Sequence, residues 1–367
     1  MPKIKVMVID DSAVMRTFLS ETLSKAVSIE VVGTAIDPYI AASKINKLQP
    51  DVITLDIEMP RMDGLTFLSK LMKVNPMPVI MVSSLTDRGA DATVKALELG
   101  AIDFILKPNP DSEDSVRNFT RQLVEKVRAA ASSGVIKKQS VVKEYFTVPP
   151  LVIEKKHTAD VIIAKRDPVK RKAKSENLVA IGASTGGTEV IDAVLVNLPD
   201  DSPAIVIAQH MPEKFTEAFA LRVNSKSKIL VKEAVNGERI YRGMALVAPG
   251  GKHMLVHCDS GGYYAEINDG PPVNRHKPSV DVLFRSVSQC AGRYATGILC
   301  TGMGSDGAAG LLEMKQSGAT TIAQSEESCV VYGMPKEAVK LGAADIEMDI
   351  PGIINHIVSL IRYEKVQ

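Results

Sequence analysis

Residues 178–187 read Leu-Val-Ala-Ile-Gly-Ala-Ser-Thr-Gly-Gly, an apolar run that ends in a glycine turn around a single serine. A short, continuous apolar run is typical of a strand covered on both faces, and the segment after the turn has helical character. The pattern predicts strand, sharp turn and helix, the repeating unit of an α/β fold. Residues 182–186 fit the G-x-S-x-G turn, so Ser184 is a candidate nucleophile. Such a turn can also bind a phosphate, and the turn alone does not decide between these functions.

The composition indicates a globular protein of two domains. The chain has 367 residues, long for one typical domain. A net charge of +1 gives no field that would attract nucleic acid or an anionic membrane, and the absence of Trp argues against base stacking. The four cysteines form no C-x-x-C pair, which suits reduced thiols in the cytosol. The first residues do not fit a signal peptide, and no apolar run is long enough to span a membrane. We therefore expect a cytoplasmic protein that binds no nucleic acid and does not insert into a membrane.

Short apolar strands and amphipathic helices alternate through residues 1–130, which predicts a doubly wound parallel sheet. The residues at the predicted strand ends are Asp10, Asp11, Asp56, Ser83 and Lys107. Ligands of such sheets bind beyond these ends, so the side chains should converge. Three converging carboxylates repel one another unless a cation is present, and hard oxygen ligands beside a phosphate favour Mg²⁺. A carboxylate can also form an aspartyl phosphate, with Lys107 and the Ser83 hydroxyl contacting the phosphoryl oxygens.

Residues 131–175 are predicted to form a flexible, basic linker between the domains. Periodicity fades there, residues 132–134 and Pro149-Pro150 interrupt regular structure, and lysine and arginine outnumber acids. The basic segment could hold an acidic partner surface, or it could be a tether whose sequence matters little. Both interpretations stay open.

Residues 176–367 are predicted to form a second, mainly parallel α/β domain. A serine nucleophile needs a general base and a group that orients the base. The histidines considered as base are His210, His253, His257 and His276. His210 and Asp306 each follow an apolar strand, so both should reach the sheet edge that carries Ser184. The order Ser–His–Asp differs from the Ser–Asp–His order of α/β-hydrolases, which predicts an independent arrangement of the same chemistry.

Residues 1 to about 125 resemble a response-regulator receiver domain. The matching motifs are Asp10-Asp11, Asp-Ile-Glu-Met-Pro-Arg-Met-Asp-Gly from Asp56 onward, Ser83 and Lys107-Pro108, in the family's order and spacing. The resemblance implies that Asp56 accepts a phosphoryl group from a chemotaxis histidine kinase. It implies a Mg²⁺ site formed by Asp10, Asp11, Asp56 and the backbone carbonyl of Glu58. It also implies a switch that involves Ser83, Lys107 and Phe104, although Phe104 could equally be ordinary packing.

Residues 176–367 resemble the catalytic domain of chemotaxis protein-glutamate methylesterases, and with the receiver the whole chain resembles that family. The matching segments are residues 181–187, 208–212, 246–250, 275–281 and 299–307. The resemblance implies that Ser184 is the nucleophile, His210 the base and Asp306 the orienting acid. Main-chain N–H groups near Thr185 and Met303 would stabilise the oxyanion. The residues offered as substrate contacts are His253, Arg275 and His276.

The implied function is hydrolysis of glutamyl methyl esters on methyl-accepting chemoreceptors, with release of methanol and no cofactor for the esterase reaction. Some relatives also deamidate receptor glutamines, so deamidation is a second implied activity. An unphosphorylated receiver would cover the Ser184 edge, and phosphorylation of Asp56 would favour an open arrangement. The linker is longer and more basic than expected for this family. The alternative is a receiver fused to a non-enzymatic nucleotide- or DNA-binding output domain, but the sequence lacks the lysine of a P-loop and a closing helix-turn-helix pattern.

Overall fold

The structure of the chain is a computed structural model that describes residues 2–84, 86–133, 157–165 and 176–364. The chain divides into two compact units, Met1–Ser140 and Val141–Gln367. Residues 134–156 and 166–175, which belong to the predicted linker, lie outside the described residues. Among the described residues, no helix combines the length and the apolar character that crossing a membrane requires.

The described part of the first unit contains a five-stranded sheet with the order β2-β1-β3-β4-β5, and the paired strands are parallel. Its strands are β1 (Ile4–Ile9), β2 (Ile29–Ala35), β3 (Val52–Asp56), β4 (Val79–Ser83) and β5 (Asp103–Leu106). Its helices are α1 (Ala13–Ser24), α2 (Pro38–Leu48), α3 (Gly64–Val74), α4 (Asp87–Glu98) and α5 (Glu113–Ser132). Every residue of β3 and β4 is buried, as expected for central strands covered on both faces. The doubly wound sheet predicted for residues 1–130 is confirmed.

Short polar side chains start the helices of this unit. Asp37 accepts the N–H of Ile40 at 2.9 Å, and Pro38 occupies the first turn, where no N–H partner is needed. The other caps are Ser12, Asp63, Thr86 and Ser112. Each cap satisfies a donor that the helix itself leaves free, so these residues fix where the helices begin after the strand ends.

The described part of the second unit contains a seven-stranded parallel sheet with the order β15-β14-β13-β6-β7-β10-β8. Its strands are β6 (Leu178–Ala183), β7 (Ala204–Gln209), β8 (Leu230–Glu233), β10 (Met244–Val247), β13 (Ala295–Leu299), β14 (Thr320–Gln324) and β15 (Ile346–Met348). The helices are α6 (Gly187–Val196), α7 (Phe215–Asn224), α8 (Val280–Cys290), α9 (Ala308–Gln316), α10 (Met334–Lys340) and α11 (Ile350–Glu364). The predicted second α/β domain is confirmed, although β8, β15 and α11 were not predicted.

The strand order reverses beside β6. From β6 the chain continues through β7 toward one edge of the sheet, and it returns to β13 on the other side of β6 before moving toward β15. In an open parallel sheet, a crevice forms beyond the strand ends at such a reversal. The serine turn therefore lies where the fold itself creates a binding site.

A small antiparallel sheet packs beside the larger one. It has the order β11-β12-β9 and contains β9 (Arg239–Ile240), β11 (His253–Asp259) and β12 (Gly262–Asn268). The hairpin predicted in this region is confirmed by the pairing of β11 with β12. Buried residues of β11, such as Met254 and Val256, join the same apolar core as α8.

Residues 157–165 differ from the flexible linker predicted over residues 131–175. They form a short 3₁₀ turn, Ala159–Val161, and contact α8 and the loop before it. Ala159 and Ile162 pack with Leu255 and Val273, and this apolar contact explains why the segment is held although its sequence lacks a regular period. We call residues 157–165 the strap.

Candidate functional site

Ser184 directly follows β6 and is half-buried. Its N–H donates to the Thr301 carbonyl at 3.0 Å, and its carbonyl accepts from the Gly187 N–H at 2.8 Å and the Gln209 amide at 2.9 Å. A Cβ at position 187 would lie 2.5 Å from the Cβ of Ala183, which cannot turn away, so only glycine fits there. Gly186 has φ of 77°, a left-handed conformation that glycine adopts without strain. The turn is therefore rigid, and it fixes the serine at the carboxyl edge of the sheet.

His210 lies on the strand next to Ser184. β7 pairs with β6 as far as Ala183 and Gln209, and the His210 N–H donates to the Ala183 carbonyl at 3.1 Å. Nε2 of His210 lies 2.8 Å from Oδ2 of Asp306, which belongs to the loop after β13. Because β13, β6 and β7 are adjacent, the three predicted triad residues come from the ends of three neighbouring strands.

The contact with Asp306 decides which nitrogen of His210 can accept a proton. A carboxylate only accepts hydrogen bonds, so Nε2 carries the proton and Nδ1 keeps its lone pair. Nδ1 is buried and makes no hydrogen bond with any residue that the structure describes. Chymotrypsin-type triads use the opposite assignment, in which Nδ1 faces the aspartate. The sequence could not distinguish the two assignments.

Asp306 is only 1% exposed and is surrounded by donors. Its Oδ2 also accepts the Val280 N–H at 2.7 Å, and its Oδ1 accepts from the Ser279 hydroxyl and the Asn274 amide, both at 2.8 Å. Val280 is the first residue of α8, where backbone amides have no partner within the helix. Burial by itself would raise the pKa of Asp306, but the hydrogen bond from His210, and the positive charge of that ring when it is protonated, outweigh burial and hold that pKa well below its ordinary value.

Asp281 and Asn274 complete the surroundings of Asp306, and sequence reasoning missed both. Oδ1 of Asp281 accepts the N–H groups of Gly307 and Gly310 at 3.0 and 2.7 Å, and Oδ2 accepts the Asn274 amide at 2.6 Å. Burial first, and the charge of Asp306 second, raise the pKa of Asp281 to about 7. In the sequence Asp281 resembles any acid in a first helical turn, so only its position within the matching segment 275–281 could have drawn attention to it.

The predicted substrate contacts lie in different surroundings. The His276 ring stacks on the His210 ring with centroids 3.7 Å apart. Arg275, the residue before it, is half-buried and has φ of 72°, in the left-handed region. His253 has no exposed surface: its Nε2 lies 3.0 Å from the Pro271 carbonyl, and its Nδ1 accepts the Ser279 N–H at 3.2 Å. The structure thus contradicts a substrate-contacting role for His253, because both ring nitrogens already hold the backbone around the site.

The predicted oxyanion donors lie in the two loops that meet at the serine turn. Thr185 follows Ser184, and Met303 lies in the loop after β13. The Thr301 hydroxyl joins these loops by donating to the Thr185 carbonyl at 3.0 Å, and it accepts the Val331 N–H at 2.9 Å. The two backbone segments are therefore tied together beside the serine, and the oxyanion role of their N–H groups stays a prediction.

In the first unit, Asp10, Asp11 and Asp56 come together as predicted. Their carboxylate oxygens lie within 4.8 Å of one another. Lys107 Nζ lies 2.8 Å from Oδ2 of Asp56 and 3.4 Å from Oδ2 of Asp10. That Asp10 oxygen is buried and makes no hydrogen bond with a described residue. Burial raises the pKa of Asp56 to about 6, against the effect of the hydrogen bond from Lys107. A buried carboxylate oxygen that accepts no hydrogen bond within the described part of the chain, 3.4 Å from the Lys107 ammonium and within a cluster of hard oxygen ligands, fits Mg²⁺.

The remaining predicted switch residues are buried. Ser83 is 1% exposed, and its Oγ accepts the hydroxyl hydrogen of Thr93, on α4, at 2.9 Å. Phe104 is 5% exposed, and Lys126 Nζ lies 5.9 Å from its ring centroid. The side chain of Glu58 is exposed, which leaves its backbone carbonyl as the predicted ligand. Thr93 was not predicted, because an isolated threonine within a helix carries no sequence signal.

The fold and the sites define a class of protein: a receiver-like α/β unit joined in one chain to a hydrolase-like α/β unit. The family model described as CheB methylesterase matches residues 179–357, and that of the response regulator receiver domain matches residues 6–117. The protein-glutamate methylesterase/protein-glutamine glutaminase 1 of Geobacter metallireducens is 51% identical, over 93% of this chain and 92% of its own length. The protein-glutamate methylesterase/protein-glutamine glutaminase of Hydrogenovibrio crunogenus is 48% identical, over 99% of this chain and 100% of its own.

The chain therefore belongs to the CheB family of response regulators, and it is an enzyme of the methylesterase class. The matches extend over both units, so the receiver and the catalytic domain are identified together. They give no support to the alternative of a non-enzymatic nucleotide- or DNA-binding output domain.

Proposed function

We propose that this enzyme hydrolyses glutamyl methyl esters of chemoreceptors in the cytoplasm and deamidates receptor glutamines, as part of adaptation in bacterial chemotaxis. The observation that carries the proposal is the convergence of Ser184, His210 and Asp306 at the ends of three adjacent strands. The names of the full-length relatives support the substrate class.

In the proposed mechanism, Ser184 Oγ attacks the ester carbonyl while Nδ1 of His210 takes its proton. Asp306 keeps the other proton on Nε2 and stabilises the imidazolium that forms. The backbone N–H groups near Thr185 and Met303 hold the developing oxyanion. The C–O bond to the methoxy group then breaks, and Nδ1 returns the proton to the leaving methanol.

A water molecule completes the cycle. His210 removes its proton as it attacks the acyl-enzyme, and the resulting tetrahedral species releases a glutamate side chain and restores Ser184. With a glutamine substrate the first leaving group is ammonia, and the acyl-enzyme that follows is the same. One set of residues therefore accounts for both activities, since hydrolysis of this common intermediate gives glutamate in each case.

The regulatory half of the proposal concerns Asp56. We propose that its carboxylate attacks the phosphorus of a phosphohistidine on the chemotaxis kinase, so the P–N bond breaks as the aspartyl phosphate forms. Lys107 would neutralise a phosphoryl oxygen, and Ser83 would leave Thr93 to donate to another. Mg²⁺, when held by Asp10, Asp11, Asp56 and the Glu58 carbonyl, supplies positive charge against the phosphoryl oxygens. The unphosphorylated receiver would restrict access to Ser184, and phosphorylation would shift the population toward open enzyme.

Methanol release from a methylated chemoreceptor tests both halves. Full-length enzyme should release methanol slowly alone and faster with Mg²⁺ and a small-molecule phosphodonor. Ser184→Ala should abolish release under both conditions, while Asp56→Asn should keep the basal rate and lose the stimulation. Activity that survives Ser184→Ala would refute the nucleophile assignment, and stimulation that survives Asp56→Asn would refute the phosphoacceptor.

A further inference from the structure

The strap, residues 157–165, is attached to α8 by backbone and apolar contacts. The Arg285 guanidinium donates to the Ile163 carbonyl at 3.0 Å, and the Gln289 amide donates to the Ala164 carbonyl at 2.9 Å. Gly270 packs closely against the strap: a Cβ at this position would lie 2.2 Å from Cδ1 of Ile162. These contacts make the strap part of the catalytic domain rather than a free tether.

An ion pair fixes the strap further. Arg285 is 7% exposed and forms a two-point contact with Glu313, with distances of 2.8 and 2.7 Å. Its remaining nitrogen lies 2.7 Å from Oδ1 of Asp160, whose side chain is 61% exposed. A buried guanidinium needs hydrogen-bond partners for its donors, and Asp160 supplies one of them. Glu313 on α9, Arg285 on α8 and Asp160 in the strap thus form one charged network.

Asn274 connects the strap to Asp306. The Asn274 N–H donates to the His157 carbonyl at 2.9 Å, and the residue has φ of 51°, in the left-handed region. Its side-chain nitrogen lies 2.8 Å from Oδ1 of Asp306 and 2.6 Å from Oδ2 of Asp281. An amide NH₂ group has two hydrogens, so each carboxylate receives one. The same residue is therefore held by the strap through its backbone and holds two buried carboxylates through its side chain.

We propose that Asn274 is a positioning residue for the esterase reaction, and that the strap holds it in place through the His157 carbonyl. The inference rests on the proposed role of Asp306 in orienting His210. Without the amide, two carboxylates would face each other with one donor fewer, and Asp306 would lose a restraint on its orientation. His210 would then be held less firmly in the orientation that directs Nδ1 to the serine.

The reaction parameters that should change follow from this geometry. Asn274 acts through Asp306, so its loss should lower kcat and leave KM nearly unchanged. A carboxylate with fewer donors stabilises the His210 imidazolium more, so the acid limb of the kcat profile should move to higher pH. The other titratable groups around this pair are His276 beside His210, Asp281 on α8, and His253 on β11.

The test compares Asn274→Ala, Asn274→Asp and Asp160→Asn in the full-length phosphorylated enzyme. We expect Asn274→Ala to lower kcat on the order of tenfold to a hundredfold, with KM within about twofold. Asn274→Asp adds a third carboxylate and should shift the acid limb further. Asp160→Asn should lower kcat about threefold to tenfold, and it should add little in an Asn274→Ala background because both act along one path.

The matched control for the strap is Asp259→Asn, because Asp259 also pairs with an arginine, Arg239, on the surface of the same unit, by two contacts of 2.7 and 2.8 Å. It should leave kcat unchanged. Wild-type kcat and pH profile in Asn274→Ala would overturn the positioning role, and an unchanged Asp160→Asn enzyme would overturn the role of the strap. If Asn274→Ala fails to fold, Asn274→Asp tests the positioning role through its kcat and pH profile, and Asp160→Asn, whose side chain is largely exposed, tests the role of the strap. Loss of activity in Ser184→Ala beside normal Asn274→Ala would refute this inference alone.

Discussion

The imidazole of His276 lies flat against that of His210, with ring centroids 3.7 Å apart and planes inclined by 4°. The edge of the His210 ring is fixed by Asp306, and its face is covered by His276. Two restraints at right angles leave the ring little freedom to turn. The residue predicted to contact substrate therefore also supports the proposed base.

Replacement of His276 by Ala should lower kcat about threefold to tenfold, because an aromatic pair contributes about 0.5–1.5 kcal/mol. His276→Phe keeps a ring against His210 and should recover most of kcat. His257→Ala is the control, since His257 stacks on Tyr264 in the hairpin. Steady-state methanol release provides the measurement, and equal kcat in the Ala and Phe variants would contradict a stacking role.

The Asp281 carboxyl should make stability depend on pH in a defined direction. Its pKa is raised from 3.8 to about 7, so its contribution to stability is complete below pH 3.8 and is lost as pH rises through about 7. Urea unfolding of wild type should therefore show stability that falls, relative to Asp281→Asn, between about pH 4 and pH 7. Above that range the two curves should run parallel.

Asp259→Asn is the comparison for that experiment. Its hydrogen bond with Arg239 lowers the pKa of Asp259, so the stability that this pair adds is present above pH 3.8 and is lost only as pH falls below that value. Between about pH 4 and pH 7 the difference between wild type and Asp259→Asn should therefore not change with pH. A wild-type curve that rises with pH relative to Asp281→Asn would show that the raised pKa is wrong.

Thr93→Val should favour the phosphorylated form of the receiver. The hydroxyl bond from Thr93 holds Ser83 against α4, and such a bond contributes about 1 kcal/mol. Its removal should raise the affinity for beryllofluoride, a phosphoryl mimic, about fivefold in the presence of Mg²⁺. Calorimetric titration measures this change. The control is Thr22→Val, at another buried threonine on α1, which should leave the affinity for beryllofluoride unchanged. A lower affinity in Thr93→Val than in wild type would contradict the proposed release of Ser83.

Mg²⁺ should stabilise the receiver through Asp10. Binding to the folded form alone raises its stability by mass action, so added Mg²⁺ should raise the unfolding temperature of the first unit by about a few degrees. Asp10→Asn removes a carboxylate whose Oδ2 has no hydrogen-bond partner among the described residues, and the Mg²⁺-dependent shift should largely disappear. Differential scanning calorimetry with and without Mg²⁺ gives the comparison. An equal shift in Asp10→Asn would exclude Asp10 as a ligand.

Much of the fold could be predicted because its signals are local. The apolar run before Ser184 and the alternation through residues 1–130 are short-range patterns, and each follows directly from strands buried on both faces. Because ligands of a parallel sheet bind beyond the carboxyl ends of its strands, His210 and Asp306 were predicted to lie at the edge that carries Ser184. The structure places them there. The features that follow from the parallel topology, namely the strands, their sheet and the strand-end positions of the site residues, could therefore be predicted from the sequence.

The rest depended on contacts between distant parts of the chain. Asn274 and Asp281 reach Asp306 only once α8 has docked beside β13, and no local pattern records that contact. His253 looked like a loop histidine near substrate, but it begins β11, is completely buried and contacts the backbone of Pro271 and Ser279 through its ring nitrogens. The strap lacks periodicity because a few anchored residues, and not a regular face, hold it.

The contacts of the strap place the structural start of the catalytic domain earlier in the chain than the family match does. The family match starts at residue 179, but the hydrogen bonds that reach Asn274 and Arg285 start at His157 and Asp160. A fragment cut at the start of β6 would leave a donor of the buried Arg285 and the backbone of Asn274 without their partners. A fragment of the catalytic domain, whether made by proteolysis or by truncating the gene, should therefore begin before residue 157 so that the strap is retained.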